Sequence, residues 1–218
     1  MRFLAKPMGY LLLYLYKLIG NYGISIILFT VIVKLVLLPL TIKQLKSTKE
    51  MAKIQPKLKE LQEKYKNDKE KLNIKTMELY KEHKINPMGG CLPLLIQIPI
   101  IFGLFSVLRT PAQYIAEPSF LQAISESFLW IPNLSNPDPI ILPILAGITT
   151  YFSMSTTNTG AVQNQTMKTM NLVMPFLIIW WGRGFPAGLT LYWVVSNIFQ
   201  MAQQYFISKG IVSKEELS

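Results

Sequence analysis

A lysine inside an apolar run is the feature that most restricts what this chain can become. Residues 23–40 read GISIILFTVIVKLVLLPL, with Lys34 near the middle. A membrane span takes roughly 20 mostly apolar residues, and a central lysine costs about 2.5–3.5 kcal/mol on insertion scales. Something has to compensate for it. Positions three and four apart share a helix face, so Ile27, Thr30, Lys34, Leu37 and Thr41 form one stripe that gathers the polar groups around the lysine. Two readings follow. The stripe looks into a wet cavity, or Lys34, nine residues before Lys43, pairs structurally or snorkels its stem toward the cytosolic headgroups.

Half of the 218 residues are hydrophobic, and they are gathered into blocks separated by charge. That distribution indicates an all-α, multi-pass membrane bundle. Thirteen of the 22 basic residues lie between Lys43 and Lys84, where seven acids leave a net charge of +6. Lys and Arg near span ends stay on the cytoplasmic side. Residues 110–137 hold no Lys or Arg, only Glu117 and Glu126, and are expected outside, with Trp130 at the interface.

The expected organisation is five transmembrane helices with a cytosolic helical hairpin. The spans are 23–42, 87–109, 138–154, 169–182 and 186–207, the hairpin is 43–86, and 110–137 is the outer loop. Residues 155–168 form a cytosolic loop and 208–218 a cytosolic tail. Residues 1–22 admit three readings. A signal peptide wants a small-residue cleavage site that is not evident; a full span is short and interrupted by Pro7. An interfacial amphipathic helix, with Tyr10, Tyr14 and Tyr16 at headgroup depth, fits best.

Within the hairpin, Met51, Ile54, Leu58, Leu61 and Tyr65 follow the 3-4-3-4 spacing of an apolar seam. Pro56 interrupts this first arm, and Asn67 with Glu70 three residues later reads as the N-cap and capping-box partner of a second helix running to about His83. The bland account of its charge is a solvated coiled coil; contact with acidic partners or anionic lipid is the extra one. In the last span Thr190, Trp193, Asn197, Gln200 and Gln204 recur at 3-4-3-4 spacing. Amides between spans can serve as interhelical glue. Polar stripes on several spans, with Gln97 inside another, favour a shared hydrophilic groove.

One cysteine, Cys91, leaves no internal disulfide or cysteine cluster, and one histidine, His83, leaves no histidine constellation. Nothing reads as a nucleotide-binding loop, a nucleophile with its base or a metal site, so no enzyme activity, cofactor or metal is expected.

The chain resembles the YidC family of membrane protein insertases, the YidC/Oxa/Alb group, in its short five-span bacterial form. The resemblance rests on ILFTVIVKLVLLPLT, INPMGGCLPLLIQIPIIFGLF, ILPILAGITTYF and FPAGLTLYWVVSN, in that order between Tyr22 and Phe206. It implies an outside N terminus, an inside C terminus, residence in the bacterial cell membrane, and a groove open to cytosol and lipid but closed outside. The groove's basic residue is usually arginine in the family; Lys34 keeps the charge and loses the planar fork.

The resemblance further implies an insertase and chaperone whose clients are nascent membrane proteins in the lipid bilayer, with the Sec translocon and the ribosome as candidate partners. No nucleic-acid recognition is expected beyond ribosome docking. Lys34, Thr30, Gln97, Ser153, Trp193 and Asn197 are the candidate groove residues, and Lys59, Lys66 and Lys71 the candidate contacts on the hairpin. The rival readings are a small-solute transporter or channel, weakened by the lack of Asp or Glu within any span, and an assembly partner of a translocation channel without insertion activity of its own.

The lysine distribution predicts labelling of single cysteines from outside intact cells at residues 110–137, and protection at 43–86 and in the tail, in a Cys91→Ser background. Outside labelling of the hairpin would overturn the orientation.

Overall fold

The computed structural model describes residues 2–83, 85, 92–115, 117–157 and 165–215. Cys91, the NPMGG stretch at 86–90, residues 158–164 and the chain end at 216–218 lie outside the described residues. The described chain is all-α, and its β-type pairing is a single bridge between Phe128 and Ile131. The helices are α1 (Arg2–Ile19), α2 (Tyr22–Val36), α3 (Leu38–Lys53), α4 (Gln55–Lys64), α5 (Lys69–Glu82), α6 (Leu92–Arg109), α7 (Pro118–Ala123), α8 (Ile141–Thr157), α9 (Gln165–Gly182) and α10 (Ala187–Glu215).

The chain reverses between α1 and α2 at Gly20, whose φ of 71° suits a residue without a Cβ. Asn21 then caps α2, its Oδ1 accepting from the Ile24 N–H at 3.0 Å. The apolar run that opened the sequence argument is not one straight helix. It breaks at Leu37, and α3 leaves at 60° to α2. Pro39 accounts for the break, because it has no N–H to give Leu35 and its ring collides with that carbonyl. Among the described residues no single helix is long and apolar enough to cross a membrane, whereas α2 and α3 taken together have the length and composition, across a 60° bend.

Helices α4 and α5 pack as an antiparallel pair around Ile54, Leu58, Leu79 and Ile85, with Met51, Leu61 and Tyr80 against them. The helix restarts at Gln55 with Pro56 in its first turn, where a missing N–H costs nothing. The N-cap of α5 is Asp68, one residue past the expected Asn67; its carboxylate accepts from the Lys71 N–H at 3.0 Å. Asp adds a charge–dipole attraction that Asn lacks, which favours this choice of cap.

The main core gathers α1, α2, α6, α10 and the segment 111–137 around Tyr22, Ile26, Phe29, Leu104, Leu108, Leu134 and Tyr192. Tyr22 meets Phe120 edge-on at 5.8 Å between centroids. Residues 134–136 close over the start of α10: the Ala187 N–H donates to Asn136 O at 2.8 Å and the Gly188 N–H to Leu134 O at 2.9 Å. Two donors that a helix start leaves open are thereby satisfied by the loop. Glu126 ties three segments together, since its carboxylate accepts from the Tyr16 hydroxyl on α1 and, at 3.2 Å, from the Tyr22 N–H opening α2. Lys17 and Glu117 form a further ion pair at 2.5 Å, and that hydrogen bond holds the Glu117 carboxyl below its ordinary range.

Helices α8 and α9 lie side by side, with α10 against α8. Gly147 permits the close approach, because a Cβ there would come within 2.4 Å of Ile179 and 3.1 Å of the Pro175 carbonyl. Exposed apolar residues such as Ile144, Ile148, Phe152, Phe176 and Trp180 cover the outer faces of this pair.

Asp138 fastens the entry to α8. Its Oδ1 accepts from the Ile140 and Ile141 N–H groups, both at 2.9 Å, and its Oδ2 from Trp130 Nε1 at 2.8 Å. Asp138→Ala is expected to cost about 1 kcal/mol or more, as loss of a helix cap does, and Asp138→Asn much less. The check is the denaturant midpoint of the protein in detergent.

Candidate functional site

Lys34 occupies the last turn of α2 and is only 8% exposed. Its Nζ reaches Gln200 Oε1 on α10 at 3.4 Å, a long bond that leaves most of the ammonium's donor capacity unused. Among the described residues no carboxylate lies within ion-pairing distance of it. The side chain therefore lies against a neighbouring helix instead of extending to solvent. The same turn binds α10 through its backbone, since Gln203 Nε2 donates to Lys34 O at 3.4 Å. The carbonyls of a helix's last turn have no donor one turn on, and the break at Leu37 places Lys34 among them. Thus the proline that bends the helix also exposes the carbonyl that Gln203 binds.

Gln97, on α6, donates to the Tyr192 hydroxyl of α10 at 2.7 Å, and Ser196 is buried one turn further along α10. Thr30 is fully buried and turns inward, its hydroxyl donating to its own helix at Ile26 O at 2.7 Å. These groups line one side of α10. On the other side Trp193 Nε1 donates to Thr150 Oγ1 at 3.1 Å, and Asn197 Nδ2 donates to Thr150 and Thr149 hydroxyls at 2.9 and 3.2 Å. Ser153 is buried on α8, one turn below.

The structure thus separates the groove candidates into two sets that share α10 as a wall. Lys34, Thr30 and Gln97 stand toward α2 and α6, while Trp193, Asn197 and Ser153 stand toward α8. The hairpin candidates lie apart from both: Lys59 and Lys66 are exposed, and Lys71 pairs with Asp68 at 3.3 Å. Tyr192, Ser196, Gln203 and Thr150 were missed by the sequence reading. The first three lie at 192, 196 and 203, a second stripe at 4-7 spacing on α10 that the stripe through Thr190 and Asn197 obscures.

Apolar packing dominates the end of the bundle under residues 111–137, and amides and hydroxyls collect toward the other end. A family model described as 60Kd inner membrane protein matches residues 14–215. This chain belongs to that family. Its members include the membrane protein insertase YidC of Fusobacterium nucleatum, 48% identical over 88% of this chain and 89% of that protein. The one from Geobacter sp. strain M21 is 45% identical over 95% of this chain but only 37% of its own length, so this chain spans little more than a third of that relative. A crystal structure of an active YidC insertase with its first transmembrane domain resolved superposes with a TM-score of 0.73. It is 29% identical, and the match covers 93% of this chain and 45% of that one. The family's description places the chain among bacterial cytoplasmic-membrane proteins.

The link between α8 and α10 is open to a direct check. Thr150→Val and Asn197→Leu, singly and together, are expected to show a coupling of about 0.6 kcal/mol and no more than about 1.7 kcal/mol, as amide and hydroxyl pairs between spans do. The measurement is a double-mutant cycle on unfolding in mixed micelles.

Proposed function

We propose that the protein is a membrane protein insertase and chaperone, which inserts newly made integral membrane proteins and helps them fold through a hydrophilic groove open to the cytosol and to lipid. The observation that carries this reading is Lys34: a buried ammonium, held by one amide and facing no carboxylate among the described residues. Names of relatives that share nearly the full length agree with it.

The physical task is to carry a polar, often acidic, outer segment across hydrocarbon, where each charge meets a barrier of several kcal/mol. Lys34 attracts the client's carboxylates transiently. Thr30, Gln97, Ser153 and Asn197 hydrate the passing segment, Trp193 and Asn197 also keep α8 against α10, and the exposed apolar flanks deliver the segment to lipid. The packed core beneath residues 111–137, clamped by Glu126 and the Leu134 and Asn136 carbonyls, closes the outer end. In this orientation the N terminus is outside and the C terminus inside. Tyr16 and Lys17 at the end of α1 bond Glu126 and Glu117, both within residues 111–137, which supports α1 lying toward the outer interface. The hairpin meets clients or the membrane surface through Lys59, Lys66 and Lys71, and the Sec translocon and ribosome are further partners of the same cycle.

In reconstituted liposomes, Lys34→Ala is expected to lower insertion of a client with two acidic outer residues about tenfold, the order of one charge-assisted hydrogen bond, and to spare an uncharged client. Lys34→Arg keeps or raises activity, since arginine holds its charge and grips carboxylates in a fork. Equal losses for all clients, together with a lower melting temperature, would mark Lys34 as an internal strut instead.

A further inference from the structure

At the outer end of α6 lies a cavity of about 390 Å³ that the insertion cycle does not use. Leu108, Ile124 and Pro186 give it an apolar floor, and Ser125, Asn136 and Arg109 add polar groups. Arg109 is the last residue of α6, and its guanidinium rests over the Phe105 ring at 5.4 Å. Stacking fixes the plane of the fork and leaves its edges free, the arrangement that suits two oxygens of one phosphate. Among the described residues no carboxylate pairs with Arg109.

Below the arginine, the same helix face continues as Phe105, Phe102 and Ile98, spaced 4-3-4 along the chain. Phe102 is 49% exposed and Ile98 38%. From Arg109 down to Ile98 the helix descends about 16 Å at 1.5 Å per residue, which matches the roughly 15 Å of hydrocarbon in one leaflet. A free phosphate would need only the arginine; the apolar track beneath it fits an acyl chain.

We propose that this cavity binds one anionic phospholipid of the outer leaflet, with its headgroup phosphate on Arg109 beside Ser125 and Asn136 and an acyl chain along Phe102 and Ile98. The assignment of leaflet rests on the orientation argued above. The lipid wedges between α6 and the segment that covers α10, at the sealed end of the groove and away from Lys34.

The test titrates detergent-solubilised full-length protein with short-chain phosphatidylglycerol, short-chain phosphatidylcholine or glycerol phosphate, reading melting temperature. Phosphatidylglycerol is expected to stabilise the protein and the other two to do so little. Arg109→Gln should weaken the phosphatidylglycerol response about tenfold, Phe102→Ser should weaken it by several-fold, and Lys6→Gln, a remote basic change, should leave it intact. Equal stabilisation by phosphatidylcholine or by glycerol phosphate overturns the proposal, as does an equal loss in Lys6→Gln. Insertion yield and cysteine accessibility in the same variants report the insertase reading separately, so a failed lipid response with normal insertion and orientation sinks only the lipid site.

Discussion

An ammonium group buried between two helices in a membrane protein is the constraint on which the rest of this structure turns. It sets amides of α10 against the end of α2, Gln200 on the ammonium and Gln203 on the Lys34 carbonyl. The Lys34–Gln200 contact is long, so the site holds its charge loosely. A short, fully matched ion pair would have buried the charge more stably and left nothing to offer a passing segment. The lysine's weak satisfaction therefore carries a stability cost, and the proposed function is what would put it to use.

That cost is offset at the opposite end. Tyr22, Phe29, Phe120, Leu134 and Tyr192 are fully buried, and the loop carbonyls and Glu126 satisfy donors that two helix starts would otherwise leave open. Aromatic packing and the pairing of most polar groups let this end pack densely, the buried Tyr22 hydroxyl being an exception that has no hydrogen-bond partner among the described residues. The bundle thus has an apolar half and a more polar half, divided along α10, whose two polar stripes serve different neighbours.

Local pattern revealed a good deal in the sequence. Lys34 stood out because charge inside an apolar run is rare, and the α10 stripe through Asn197 because helical spacing is regular. The hairpin's seam was legible for the same reason, with the cap displaced by one residue because Asn67 and Asp68 are both good caps. What local pattern did not carry was the behaviour of prolines. Pro99 and Pro175 sit inside continuous helices, whereas Pro39 coincides with a break. Neighbouring packing decides which outcome a proline produces, and no short window contains it. Nor did spacing disclose Tyr16 with Glu126 or Gln97 with Tyr192, which lie 110 and 95 residues apart.

The break at Leu37 sits three residues beyond Lys34 and just before the long arm built from α3, α4 and α5. A continuous helix is a torsionally stiff rod, and any swing of the arm would twist the lysine out of register with Gln200. A joint with a missing hydrogen bond absorbs that twist. Gln203 binds the carbonyl on the near side of the joint, so Lys34 is anchored to α10 independently of the arm. In the proposed insertase, an arm hinged at this joint would meet clients of many shapes while leaving the Lys34 side chain in place.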